Sequence, residues 1–167
     1  MALGKADVEK PIEAEIPVTK FFVNVYSTLV DEIKEELGEE AGRQLAYDAY
    51  HKAVFNSCAP AWEEMRDKGE TDAQAYGEWL LTDLMQQYEV EIIENTPESF
   101  RVSITSCPWA DHFLDKGKGD TGNIFCEVDY DMMKDFNRIT GADLVFERTK
   151  VLMEGCECCN HHIHIKE

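Results

Sequence analysis

The chain of 167 residues carries 16 Lys and Arg against 34 Asp and Glu, a formal net charge of −18. The length suits one domain, and the 44% apolar fraction suits a packed core, which excludes general disorder. No apolar run approaches the roughly 18 residues of a membrane span. The negative charge opposes binding to nucleic-acid phosphates. We therefore expect a small-molecule substrate as partner, with no nucleic acid and no membrane.

Residues 1–17 carry several charges and no apolar stretch, so we expect no secretory signal. Six cysteines in a chain without such a signal are typical of a reducing compartment, where thiols bind metals, do chemistry or pack. We expect a cytoplasmic protein. Its organisation is predicted as an N-terminal arm, 1–17, and a single α+β domain, 18–167.

The first half of the domain, residues 18–87, is predicted to be helical. Apolar residues at helical spacing indicate a first helix that stops at Gly38 and a second over about 39–56. Pro60 is expected to break the second helix, leaving a short separate helix over 62–67. We expect a homodimer through this helical half.

The second half, residues 88–167, changes its period. Strand patterns flank a hairpin loop at 95–98, two helices follow, and two further strands are predicted at 143–153 and 159–166. The order ββααββ after the helical half predicts an α+β fold with one antiparallel sheet, since strands linked by hairpins pair locally.

Cys107 is the main candidate for a catalytic or metal-binding residue. Pro108 suits the first turn of a helix, which places Cys107 at the N-cap. There the free N–H groups and the helix dipole favour a thiolate, which could act as a nucleophile or a metal ligand. The alternative is a small buried cap residue.

Cys126 and Asp129 lie three residues apart on the next predicted helix and therefore share a face. A carboxylate beside thiols can act as a general base or position water. The plainer interpretation is a core cysteine and an exposed acid.

The last strand holds a cluster of thiols and imidazoles. Strand alternation places Cys159 and His161 on the inward face, while His162 and His164 face the other way. The inward pair could join Cys107 and Cys126 around one pocket. That pocket is either catalytic or a transition-metal site, for example for zinc, with ligands Cys107, Cys126, Cys159 and His161. No cofactor is otherwise predicted.

An ordered set of motifs then resembles the L-2-amino-thiazoline-4-carboxylic acid hydrolase family. The matching segments are TSCP at 105–108, FCEVD at 125–129, FN at 136–137, FERTKVLMEG at 146–155, and Cys159. The topology is also similar to vinyl-reductase-type small-molecule-binding domains, as a fold-level analogy.

The resemblance implies a hydrolase that cleaves the C–N bond of a cyclic amidine, 2-amino-thiazoline-4-carboxylate, to give a carbamoyl-cysteine. The family positions are Cys107, Cys126, Asp129, Arg148, Thr149 and Cys159. After Cys159 the family usually continues with an acid, an aromatic and an arginine, whereas this chain has Asn160, His161 and His162. An arginine there could bind a substrate carboxylate, so we expect either 2-amino-thiazoline-4-carboxylate or a related S/N-heterocycle as the substrate.

The hypothesis for catalysis has three parts. Cys107 attacks the amidine carbon, Asp129 or His161 activates water, and Arg148 binds the substrate carboxylate with Cys126 and Cys159 in the pocket wall. Direct attack by water is the competing version. Two alternatives stay open at this point: a non-catalytic domain that binds a small molecule or a metal, as a sensor or carrier, and an accessory subunit.

Overall fold

The computed structural model describes residues 18–166, so the arm predicted at 1–17 lies outside the described residues. A π-helical turn at Leu80–Leu84 follows the third helix, and a 3-10 turn at Leu152–Glu154 precedes the last strand. The α-helices of the described range are α1 (Val18–Leu37), α2 (Glu39–Lys68), α3 (Ala73–Trp79), α4 (Pro108–Asp115) and α5 (Gly119–Thr140).

Within residues 18–166, the second half of the domain combines α4 and α5 with one sheet of four strands. Its strands are β1 (Glu89–Asn95), β2 (Ser99–Ser106), β3 (Leu144–Glu147) and β4 (Cys159–Ile165). They lie in the order β1-β2-β4-β3, and every neighbouring pair is antiparallel. The predicted α+β class, with a helical half followed by ββααββ and one antiparallel sheet, is confirmed.

The two central strands bury one face and leave the other open. In β2 the buried residues are Phe100, Val102 and Ile104, and they alternate with less buried neighbours. This face shares one hydrophobic core with Trp62 of α2 and Phe136 of α5. Antiparallel sheets commonly have one face packed against the core and the other face exposed to solvent, as this sheet does.

The prediction that Pro60 breaks the second helix is wrong. Pro60 lies inside α2, which runs unbroken to Lys68. Proline in a helix interior costs about 3 kcal/mol because it has no N–H to donate and crowds the preceding turn. Beyond it, Trp62 and Met65 are buried in the core, and each such side chain contributes roughly 1.5–3 kcal/mol. Their burial therefore outweighs the local penalty.

The strand predicted over 143–153 is also too long, because β3 ends at Glu147. The backbone N–H groups of Thr149 and Lys150 donate to the side-chain oxygen of Asn160, and that of Leu152 donates to the Cys159 sulfur. Side chains of β4 thus replace the ladder partners that a longer strand would have required.

None of the helices within residues 18–166 has the length and apolar character needed to cross a bilayer. Helix α1 buries Val23 and Val30 but leaves Phe21, Val25 and Leu29 exposed. The homodimer expected through the helical half stays a prediction.

Candidate functional site

A cavity of about 210 Å³ lies under the inner face of the sheet, between β4, α5 and the segment that follows β3. Strand β4 and helix α5 contribute side chains from their buried faces, so the site is built on rigid elements. The structure brings together at this cavity all six residues singled out from the sequence: Cys107, Cys126, Asp129, Arg148, Cys159 and His161.

The rest of the cavity wall is mainly apolar and aromatic, and the sequence analysis missed it. It includes Tyr50, Met85, Tyr88, Trp109, Phe125 and Met132. These residues come from separate helices and from the entry to β1, so no local pattern connects them. The few polar groups of the cavity therefore act in a medium of low polarity, where electrostatic interactions are strong.

Arg148 and Asp129 form an ion pair in the cavity wall. The Arg148 Nη1 group donates to the Asp129 carboxylate at 2.6 Å, and Nη2 donates to the carbonyl of Cys126 at 2.7 Å. The Arg148 guanidinium carbon also lies 5.6 Å from the ring centroids of Tyr130 and Phe146. Its side chain is only 4% exposed, so these contacts fix the guanidinium in one place.

Burial raises the pKa of Asp129 to about 6, although the Arg148 charge and hydrogen bond act in the opposite direction. One third of the Asp129 side chain remains accessible, and this part opens onto the cavity that the residue lines. A carboxyl group that titrates near neutral pH and faces a cavity is suited to proton transfer.

Cys107 is the N-cap of α4, and Pro108 occupies the first helical turn, as predicted. Burial nevertheless raises the pKa of the Cys107 thiol, and the N–H groups of Ala110 and Trp109 and the Tyr88 hydroxyl offset this only in part. The thiol is therefore protonated at neutral pH in the ligand-free protein. This corrects the expectation of a standing thiolate, because desolvation outweighs the helix terminus.

The other two cavity thiols are also neutral. Burial raises the pKa of both Cys126 and Cys159. The Cys159 sulfur accepts a hydrogen bond from the N–H of Leu152 at 3.1 Å, which ties β4 to the 3-10 turn. All six cysteines lie within residues 18–166, and none of them forms a disulfide.

His161 points into the cavity and is neutral. Burial, together with the nearby Arg148 charge, lowers its pKa to about 3. The ring packs edge-on against Phe146, with centroids 5.1 Å apart, and its Nδ1 atom has no hydrogen-bond partner within the described part of the chain. The predicted alternation is confirmed, because His162 and His164 lie on the opposite face of β4.

The family model for L-2-amino-thiazoline-4-carboxylic acid hydrolase matches residues 19–163. The chain belongs to this family. The match extends through the helical half, beyond the motifs of the second half, and confirms the resemblance seen in the sequence. A search of curated proteins finds no match to this chain.

Two solved structures are similar to this hydrolase-family chain. The phenol-responsive sensory domain of the transcription activator PoxR, solved with phenol, has a TM-score of 0.52 at 14% identity, covering 91% of this chain and 76% of that one. Trafficking protein particle complex subunit 3 from Naegleria fowleri, covalently bound to palmitic acid, has a TM-score of 0.49 at 10% identity, covering 89% and 95%. At such identities the likeness to the sensory domain shows a common fold.

The structure also locates the departure from the family motif. The position at which the family usually has an arginine is His162, which lies on the outer face of β4, away from the cavity. An arginine there would not reach a substrate in this cavity. The replacement at residue 162 therefore does not remove a carboxylate-binding group, and Arg148 remains the cation at the site.

Three side chains of types that commonly bind metals lie close together on the outer face of the sheet. Among residues 18–166, Glu147, His162 and His164 form a group whose ligand atoms all lie within 4.8 Å of one another. In the same range no three of the four cavity residues considered as metal ligands, Cys107, Cys126, Cys159 and His161, are as close. A metal in the cavity stays an untested alternative.

Proposed function

We propose that this chain is a hydrolase that opens the ring of a small cyclic amidine, 2-amino-thiazoline-4-carboxylate or a related S/N-heterocycle, in the cysteine-lined cavity. The observation that carries the proposal is the Arg148–Asp129 pair in an apolar cavity. Membership of the hydrolase family supports the same reaction class.

The charges of the pair complement those of the proposed substrate. A 2-amino-thiazoline-4-carboxylate carries an amidine, which is cationic when protonated, and a carboxylate. Arg148 would bind the carboxylate through its planar fork of donors, and Asp129 would accept hydrogen bonds from the amidinium. The volume of about 210 Å³ lies below the ~300–1,000 Å³ typical of drug-sized ligands and suits a single small ring.

The positive charge of the substrate amidinium would favour the thiolate form of Cys107. Burial raises the pKa of the thiol, but an amidinium ion beside it would lower that pKa again, because opposite charges stabilise one another in a dry site. Asp129, with a pKa of about 6, would take the thiol proton. His161 is a poor base by comparison because its cationic form is strongly disfavoured.

The first chemical step forms a bond from the Cys107 sulfur to the amidine carbon, while the C=N electron pair moves to the ring nitrogen. The ring C–N bond then breaks, and the leaving nitrogen takes the proton held by Asp129. The product of this step is a ring-opened substrate attached to Cys107 through the amidine carbon.

The second step is hydrolysis of this adduct. Asp129 takes a proton from water as the water oxygen bonds to the same carbon. The bond from that carbon to the Cys107 sulfur then breaks, and the sulfur takes the proton held by Asp129. The product carbonyl forms as its O–H proton passes to the amine freed by ring opening, so a single carbamoyl product leaves and the free Cys107 thiol is restored. Cys126 and Cys159 line the site as neutral groups that contact the ring.

A second candidate function follows from the apolar wall of the cavity. The same pocket could hold a small molecule without chemistry, as a sensor or carrier domain does. The aromatic and aliphatic lining, with Tyr50, Trp109 and Phe125 among it, favours an uncharged ring for such a role.

One experiment separates the two candidates. The purified chain is incubated with 2-amino-thiazoline-4-carboxylate in water enriched in heavy oxygen, and carbamoyl-cysteine is measured by mass spectrometry. The hydrolase predicts turnover with one heavy oxygen in each product. Saturable binding in calorimetry without product supports the binding domain, and the absence of both overturns the proposed function.

A further inference from the structure

The sheet face opposite the cavity carries a compact group of potential ligands. His162 and His164 alternate onto the same side of β4, with ring centroids 4.5 Å apart. In the antiparallel register of β3 and β4, Glu147 lies directly opposite His162. One carboxylate therefore meets two imidazoles across two hydrogen-bonded strands.

The ligand atoms of this group converge. The Glu147 Oε2 atom lies 3.6 Å from His162 Nδ1 and 3.8 Å from His164 Nε2. In a tetrahedral zinc site with bonds of about 2.0–2.1 Å, ligand atoms lie roughly 3.3 Å apart. Glu147 is 59% exposed, so its side chain is free to adjust towards both imidazoles.

The hydrogen bonds of His164 leave the correct nitrogen available. Its Nδ1 atom lies 3.0 Å from the carbonyl oxygen of Ile165, and a carbonyl can only accept, so Nδ1 carries the proton. In the neutral ring the lone pair is then on Nε2. That atom is buried and has no hydrogen-bond partner among residues 18–166. A hydrogen bond from the other ring nitrogen that fixes the tautomer in this way is a regular feature of metal-binding histidines.

His162 must change its tautomer to bind a metal, because the Arg101 guanidinium can only donate and its contact with Nε2 leaves the ring proton on Nδ1. Its Nε2 atom lies 3.2 Å from the Ser99 hydroxyl and 3.4 Å from the Arg101 Nη2 atom, while Nδ1 faces Glu147. Metal binding requires the Nε2 proton to be donated to Ser99 and the exposed Arg101 side chain to turn away. The Glu94 carboxylate, 3.8 Å from Arg101 Nη2, is close enough to form an ion pair with the displaced guanidinium.

We propose that Glu147, His162 and His164 bind one divalent transition-metal ion of the zinc class, with water completing the coordination. Two imidazole nitrogens and one carboxylate oxygen are a ligand set that suits zinc and its neighbours in the first transition row. This site lies on the outer face of the sheet and is separate from the cavity, so it does not depend on the proposed hydrolase activity.

The site acts on the cavity through the backbone. Glu147 is followed by Arg148, and His162 is preceded by His161, and these neighbours point to opposite faces of the sheet. A metal ion that joins β3 to β4 from outside therefore restrains the strand ends that carry two cavity side chains. Its binding free energy adds to the stability of the folded chain, because the site is not formed in the unfolded state.

The test uses the full chain in a Cys156→Ser/Cys158→Ser background, which removes two thiols near β4 as competing ligands. Isothermal titration calorimetry with Zn²⁺ is expected to show one bound equivalent. Thermal unfolding in the presence of Zn²⁺ is expected to show a higher Tm. His164→Ala and Glu147→Gln are expected to weaken binding about tenfold or more, whereas His112→Ala, a histidine of α4, leaves it unchanged. Binding that persists at full strength in both cluster variants overturns the proposal.

A second readout covers the case in which a variant fails to fold. The unsubstituted chain with nitrogen-15-labelled histidine is titrated with Zn²⁺ and followed by NMR. The proposal predicts shifts at His162 Nδ1 and His164 Nε2. With Co²⁺ it predicts a visible spectrum without a thiolate charge-transfer band. Unchanged histidine signals, or a strong thiolate band at one equivalent, would contradict it.

Discussion

The Arg148 guanidinium donates to the Asp129 carboxylate at 2.6 Å, from the first residue after β3 to the middle of α5. This pair places one cation and one anion side by side in the wall of an apolar cavity. Each group lowers the cost of burying the other, and both line the cavity. The proposed substrate, a small molecule that carries both charges, matches this arrangement.

The pH dependence of turnover should report Asp129. Asp129 must be ionised to accept a proton, and its pKa is about 6. We expect kcat/KM to be constant above this pH and to fall about tenfold per pH unit below it. Asp129→Asn should lower kcat/KM by roughly 10²–10⁴-fold and abolish this acid limb. An unchanged limb in Asp129→Asn would show that another group is the base.

Replacing Arg148 by Met should raise the pKa of Asp129. The Arg148 charge and hydrogen bond both lower that pKa at present, against the effect of burial. Carbon-13 NMR titration of the Asp129 carboxyl is expected to give a midpoint above 6 in the variant. Turnover should fall at least about tenfold, because a hydrogen bond to a charged group is lost. A midpoint at or below that of the unsubstituted chain would contradict the assignment.

His161 should make the fold sensitive to acid. Its pKa is about 3 in the folded chain and about 6.5 in the unfolded chain. The unfolded state therefore binds more protons between these values, and the free energy of unfolding decreases as pH falls from about 6.5 towards 3. His161→Phe places at this position an aromatic side chain that does not titrate.

Chemical denaturation of both proteins between pH 4 and pH 7.5 checks this expectation. As pH falls, the free energy of unfolding of His161→Phe should increase relative to that of the unsubstituted chain, by up to about 1.4 kcal/mol per pH unit. All other titrating groups are common to the two proteins and cancel. A difference that does not change with pH would show that His161 is not buried in its neutral form.

Gly42 should be essential to the packing of α1 on α2. A Cβ atom at this position would lie 2.6 Å from the Cα and 2.8 Å from the N of Lys34, which are backbone atoms of α1. Gly42→Ala is expected to destabilise the fold by about 1–3 kcal/mol and to lower Tm. Ser57→Ala, exposed on the same helix, should change the stability by less than about 0.5 kcal/mol. Equal effects of the two substitutions would refute this packing.

Much of the site could be predicted because its residues lie in motifs with a clear local meaning. Cys107 before a proline marks a helix start, Cys126 and Asp129 share a helix face, and alternation directs Cys159 and His161 inward. The structure brings all of them to one cavity. Local pattern was sufficient here because each residue either lies on a regular element with a single buried face or, like Cys107, caps one.

Other features depend on contacts that no local pattern contains. The position of Glu147 opposite His162 follows from the register of β3 and β4, and that register is a tertiary property. The continuation of α2 through Pro60 depends on the burial of Trp62. The raised pKa of Cys107 depends on how many apolar groups surround it, whereas the sequence shows only its helix terminus.

The most direct test of the account is the turnover of 2-amino-thiazoline-4-carboxylate by Cys107→Ala, compared with Cys58→Ala. Cys58 is a buried thiol of α2 that does not line the cavity, so it controls for the loss of a core cysteine. We predict that Cys107→Ala lowers kcat at least about a thousandfold while Cys58→Ala keeps most of its activity. Near-normal turnover by Cys107→Ala would contradict a Cys107-centred hydrolase.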